Sequence, residues 1–141
     1  MLRTWPLWVA ALWWGSLSAV GFWVVPLLFK HLPSPAMAGA MAAQLFTAQT
    51  WVALVCGWLL LLAARGKQDA DQPQTLATAA KSALMFIAAG MLLAALSEFV
   101  VAPRIIAREN LKFWHAVGSG MYLLQWVCAG LTLQRLFKAR G

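Results

Sequence analysis

Charge is scarce in this chain, and acidic charge scarcest of all. Among 141 residues there are eleven Lys and Arg but only four Asp and Glu. Charged residues make up 11% of the sequence, against roughly 25% in a soluble domain. So thin a supply cannot clothe a water-facing surface. Two of the four acids, Asp69 and Asp71, share one polar stretch, so a paired-carboxylate active site is not expected. Cysteine is equally sparse. Cys56 and Cys128 have neither CxxC spacing nor polar neighbours, and read as small buried hydrophobes without a structural disulfide. The chain lacks a P-loop, a Gly-rich dinucleotide turn, a GxSxG elbow and any zinc-finger or HExxH spacing. No span carries two histidines that could sandwich a haem, and no repeat, low-complexity tract or domain-dividing linker is visible.

What the chain does have is hydrocarbon. Hydrophobic residues make up 62% of it, with nine tryptophans, a side chain that favours membrane interfaces. Four apolar runs, about 5–29, 45–64, 83–101 and 113–137, approach the ~20 residues that cross a bilayer. The first follows Arg3 but is longer than the ~7–15 residues of a signal-peptide core, so it reads as a retained helix. Pro33 and Pro35 close the first helix, and Ser34–Pro35 is a good N-cap and first-turn pair for the second. The helices are therefore expected over about 5–29, 36–64, 80–102 and 112–137 of a single domain, 1–141. The fold class is all-α, an integral-membrane four-helix transmembrane bundle.

Basic residues set the expected orientation. Arg3, Arg65, Lys67, Lys81, Arg135, Lys138 and Arg140 fall on the side of the termini, while Lys30, Arg104, Arg108 and Lys112 fall on the other. The positive-inside rule places both termini in the cytoplasm. A net charge of +7 then reflects anionic lipid headgroups rather than nucleic acid.

This topology gathers the candidate chemistry at the outer end: His31 after the first span, Met37 and Met41 early in the second, Glu98 late in the third, His115 opening the fourth. On the fourth span His115, Gly118, Ser119, Tyr122, Trp126 and Ala129 share a stripe at helical spacing, expected to face the bundle. Intramembrane acids tend to be paired and functional. Glu98 reads either as a pair with Arg104 or His115 that locks the third helix to the fourth, or as a ligand-binding or proton-transfer group. His115 is either an interfacial residue bonded to a headgroup or Ser119, or an axial or metal ligand. Together with Met37, Met41 and His31 it would suit a soft ion such as Cu(I), although a Met face is also ordinary packing.

The pieces "WWGSLSAVGFWVVPLLFKHLP", "AAQLF", "VVAPRIIA" and "FWHAVGS", in that order, resemble DUF4149, a family of four-helix membrane proteins that includes transmembrane protein 205. The positions that carry the resemblance are Trp14, Gly15, Phe29, Leu32, Pro33, Leu45, Phe46, Pro103, Arg104, His115 and Ser119. Ala116 stands where the family often has glycine, and Tyr122 where it has asparagine. The first helix is also distantly similar to those of copper-resistance D proteins and four-helix protoporphyrinogen oxidases. The latter carry an early histidine that this chain does not have.

Three functional readings follow. The first is a multi-pass protein of a bacterial inner membrane that binds or transports a small ligand, copper or haem/porphyrin, at the outer mouth. Its ligand-binding residues would be His115, Glu98, Arg104, Ser119 and Tyr122, and its metal ligands His31, His115, Met37 and Met41. The second is a structural or assembly subunit, docked to other membrane helices or to copies of itself. The third, a porphyrin-metabolism oxidase, rests on distant resemblance alone, so enzymatic activity is the least favoured.

Overall fold

The computed structural model describes residues 4–65 and 76–139, and among them it holds helices and no strand. Arg3, Lys67, Arg140 and most of the polar stretch used above to set orientation lie outside the described residues. Four helices are long and apolar enough to cross a membrane: α1 (Trp5–His31), α2 (Pro35–Ala64), α4 (Leu84–Ile106) and α5 (Leu111–Lys138). A short helix, α3 (Leu76–Ser82), leads into α4. Each spanning helix packs on two others, giving the cyclic order α1, α2, α4, α5 and back to α1.

Local chemistry explains the helix ends. The Met37 N–H donates to the Ser34 hydroxyl (3.2 Å), and Pro35 takes the first turn of α2, where its missing N–H costs nothing. The turn at Ala83 between α3 and α4 leaves the Ser82 carbonyl free, and Arg135 of α5 donates to it (3.2 Å) while lying over the Phe86 ring. The third helix thus begins before residue 80, with a break that no proline or glycine announces. At the other end, Arg108 and Asn110 take left-handed conformations and turn the chain into α5.

Two of the spanning helices widen at the same device. In α1 residues Val20–Val24, and in α4 residues Ser97–Val101, form a π turn. Each ends two residues before a proline, Pro26 or Pro103. A proline cannot donate to the carbonyl four residues back and its ring crowds that oxygen. Those carbonyls belong to Phe22 and Phe99, inside the π turns, where the wider winding relieves the crowding.

Packing divides the bundle into two halves. Toward the termini, Leu7, Ala10, Trp13, Leu17, Ala53, Leu60, Ile87, Ala129 and Leu136 form a closed core. Small residues let the helices approach: Gly90 lies against Trp13, Gly57 against Met91 and Gly130 against Trp14. Toward the 31–35 and 106–111 connections α1 and α5 open, and no residue of 20–34 or 102–124 is buried, whereas Ala38 and Ala42 of α2 are. Trp8 and Trp23 are 73% and 75% exposed. So large an apolar surface suits lipid rather than water.

Candidate functional site

Polar side chains meet where the closed half gives way to the open half. Every spanning helix contributes some near its midpoint: Ser16 and Ser18 on α1, Thr47 and Gln49 on α2, Ser97 and Glu98 on α4, Tyr122, Gln125 and Trp126 on α5. Antiparallel packing brings these positions to one level. The Gln49 amide donates to the Ser16 hydroxyl (2.9 Å), and the Trp126 indole N–H to the Ser18 hydroxyl (2.8 Å). Ser18 in turn donates to the Trp14 carbonyl (2.8 Å), which fixes its lone pairs toward Trp126.

Tyr122 ties α5 to the start of the α1 π turn. Its hydroxyl donates to the Leu17 carbonyl (2.7 Å), and the Gly21 N–H faces the Tyr122 hydroxyl oxygen. An unbroken α-helix would pair those two backbone groups with each other. A side chain at residue 21 would collide with the Tyr122 ring, so glycine is what permits the insertion. The ring also meets Phe46 of α2 edge-on, with centroids 5.4 Å apart.

Glu98 sits in the π turn of α4, half-buried, and its two oxygens accept from the Thr47 hydroxyl at 2.9 and 3.1 Å. Thr47 is twelve residues into α2, about 18 Å along that helix, and Glu98 lies eight residues, about 12 Å, before the end of α4, within the apolar run of its span. Among the described residues it has no basic partner. One neutral hydroxyl leaves most of the acceptor capacity of a carboxylate unused. Other polar atoms of the interior are also unspent: the Ser97 hydroxyl, the Gln125 amide nitrogen and the Trp13 indole nitrogen are buried without a hydrogen-bond partner. The site thus offers a carboxylate, a hydroxyl and amide donors in an otherwise apolar interior.

The residues singled out from the sequence separate into two places. Glu98 and Tyr122 belong to this layer. Arg104 does not pair with Glu98; it reaches Glu109 at 3.5 Å and lies over the Trp114 ring, 5.1 Å from its centroid. His31, Met37, Met41, His115 and Ser119 are exposed near the splayed end. The stripe expected to face the bundle on the fourth span holds at Tyr122, Trp126 and Ala129 but is uncovered at His115 and Ser119, because α1 and α5 have diverged there. Among the described residues no three His, Cys, Asp or Glu side chains gather as metal ligands. Both cysteines are free thiols. Sequence reasoning passed over Thr47, Ser16, Gln49, Ser97 and Gln125. Their signal was available, since "GSLS", "TAQT", "SE" and "YLLQW" each place polar residues near the middle of an apolar run.

Four apolar helices around a shared core, with apolar side chains turned outward, define a multi-pass membrane protein. Its interior carries a polar layer. The chain belongs to the family described as a domain of unknown function, DUF4149, which matches residues 8–113. The match takes in α1, α2 and α4 and stops three residues into α5, so Tyr122, Gln125 and Trp126 lie beyond it. No curated protein and no solved structure matches the chain.

Proposed function

We propose that this protein binds a small polar or cationic ligand in the membrane, at the mid-bundle layer centred on Glu98. Entry is from the splayed end, opposite the termini. The observation that carries the reading is Glu98 itself, an acidic side chain inside the apolar slab whose partner is a neutral hydroxyl. Such residues usually mark a ligand or proton pathway. The unpartnered Ser97 and Gln125 groups support it, as does the absence of buried residues over 102–124 on the approach. Copper and haem fit this layer poorly. The histidines and methionines that would ligate them, His31, His115, Met37 and Met41, lie exposed elsewhere. The basic residues of the sequence support a cytoplasmic location for the termini, in a bacterial inner membrane, so the splayed end would face outward.

The test is a titration of reconstituted protein with small primary amines, quaternary ammonium ions and Cu(I), followed by tryptophan fluorescence, since Trp126 borders the layer. Ammonium binding is expected in the wild type and loss of at least ten-fold in affinity in Glu98→Gln. Equal affinity in the two proteins would move the site away from Glu98.

A further inference from the structure

A further groove lies between α1 and α5 in the closed half. It encloses about 640 Å³ and is lined by Trp8, Ala11, Trp14, Gly130, Leu133 and Phe137, with Gln134 and Lys138 as its polar members. Both polar residues belong to the last two turns of α5 and are exposed. Neither has a hydrogen-bond or ion-pair partner among the described residues. The groove is thus amphiphilic along its length: a cationic, hydrogen-bonding end at the membrane edge and an apolar trough running inward.

We infer that this groove is a binding site for one anionic phospholipid, its phosphate at Lys138 and one acyl chain lying along Leu133 and Trp14 to Gly130. Three observations select that occupant. The first is length. From Lys138 to Gly130 is eight residues, about 12 Å of helix, close to the ~15 Å that one leaflet contributes to the hydrocarbon core. The second is shape. Ala11 lies between the larger side chains of Trp8, Leu133 and Phe137, and the Trp14 ring closes the inner end, covering Gly130 and meeting Trp126 at a tilt with centroids 5.7 Å apart. The third is charge. The N-terminus of α1 lies beside the C-terminus of α5, so the opposed helix dipoles offset each other and the Lys138 ammonium decides the sign. An ammonium with an adjacent amide donor suits a phosphate, and basic pockets between transmembrane helices are a recognised way to hold anionic headgroups. Arg135, one turn earlier on α5, is committed to the Ser82 carbonyl.

The site is independent of the ligand proposed for Glu98, and one experiment keeps them apart. Full-length protein is reconstituted in phosphatidylcholine vesicles containing brominated phosphatidylglycerol or brominated phosphatidylcholine, and bromine quenching of tryptophan is measured. The Trp8→Phe variant identifies the signal that comes from the groove. Wild type is expected to prefer phosphatidylglycerol roughly five-fold, the effect of one lysine near the membrane surface. Lys138→Gln, at an exposed position that does not affect folding, should abolish the preference. Ala11→Leu, which narrows the groove, should lower quenching by either lipid, and Glu98→Gln should leave the preference unchanged. Equal quenching by both lipids in the wild type, or a preference that survives Lys138→Gln, overturns the inference. So does a groove shielded by a second copy, seen as weak quenching together with a dimer mass.

Discussion

Removing one oxygen atom tests whether the polar layer joins the helices as described. Tyr122→Phe deletes the hydroxyl that reaches the Leu17 carbonyl at 2.7 Å and leaves the ring against Gly21 and Phe46. No large cavity opens, so the change reports the hydrogen bonds. Interhelical hydrogen bonds in membrane proteins contribute about 0.6 kcal/mol on average and about 1.7 at most. This one belongs near the upper end. The O···O distance is at the optimum of the hydroxyl range, and the Gly21 N–H loses its facing oxygen at the same stroke. A loss of about 1.5 kcal/mol is expected, measured by reversible unfolding in mixed micelles or by steric trapping. A double-mutant cycle with Gly21→Ala adds the geometric control. An alanine there strikes the Tyr122 ring, which is still present in the phenylalanine variant, so its penalty should persist in that background. A loss below about 0.3 kcal/mol would mean that the hydroxyl does not hold α5 to α1. A loss above about 3 kcal/mol would mean that the ring itself had moved.

Two further outcomes concern the scaffold. Gly90→Ala should destabilise by about 2–3 kcal/mol in the same unfolding assay, because the new methyl meets the fully buried Trp13 ring at 2.7 Å. Gly15→Ala, with open space around it, should instead gain about 0.5–1 kcal/mol from helix propensity. Ser34→Ala removes the acceptor for the Met37 N–H and should cost about 1 kcal/mol, seen as faster amide exchange in the first turn of α2.

The four membrane-capable helices were legible because long apolar runs with few charges admit little else, and Ser34–Pro35 announced where the second begins. The π turns were not. A proline after two valines marks crowding but does not say how the helix relieves it. The break at Ala83 was hidden for a different reason. It is settled by Arg135, more than fifty residues downstream, through a tertiary contact. The stripe on the fourth span shows the limit of periodicity most directly. Helical spacing says that His115 and Ser119 share a face with Tyr122 and Trp126, but not whether a neighbour covers that face along its whole length. Likewise Glu98 could be named as an intramembrane acid, while its partner Thr47 depends on the antiparallel register of α2 and α4, which one-dimensional spacing does not contain.

That register also bears on why Glu98 is there. A bundle selected only for stability would continue the packing of Trp13 against Gly90 past the midpoint, with small apolar residues up to the 106–111 connection. Instead the last buried residue of α1 is Leu17 and the first of α5 is Gln125, and the polar contacts lie along that boundary. Their energetics do not favour the arrangement. The Thr47–Glu98 bond is worth at most about 1.7 kcal/mol, whereas an acidic residue at a helix centre costs about 2.5–3.5 kcal/mol on insertion scales. At that helix-centre cost the bond to Thr47 does not offset Glu98, as expected if the proposed ligand role retains it. Glu98→Gln keeps an acceptor for the Thr47 hydroxyl and removes the carboxylate. It should raise stability by about 1 kcal/mol in the unfolding assay while it weakens ammonium binding. A Glu98→Gln protein less stable than wild type by 1 kcal/mol or more would make this carboxylate a structural tie between α2 and α4, and the ligand reading would fall with it.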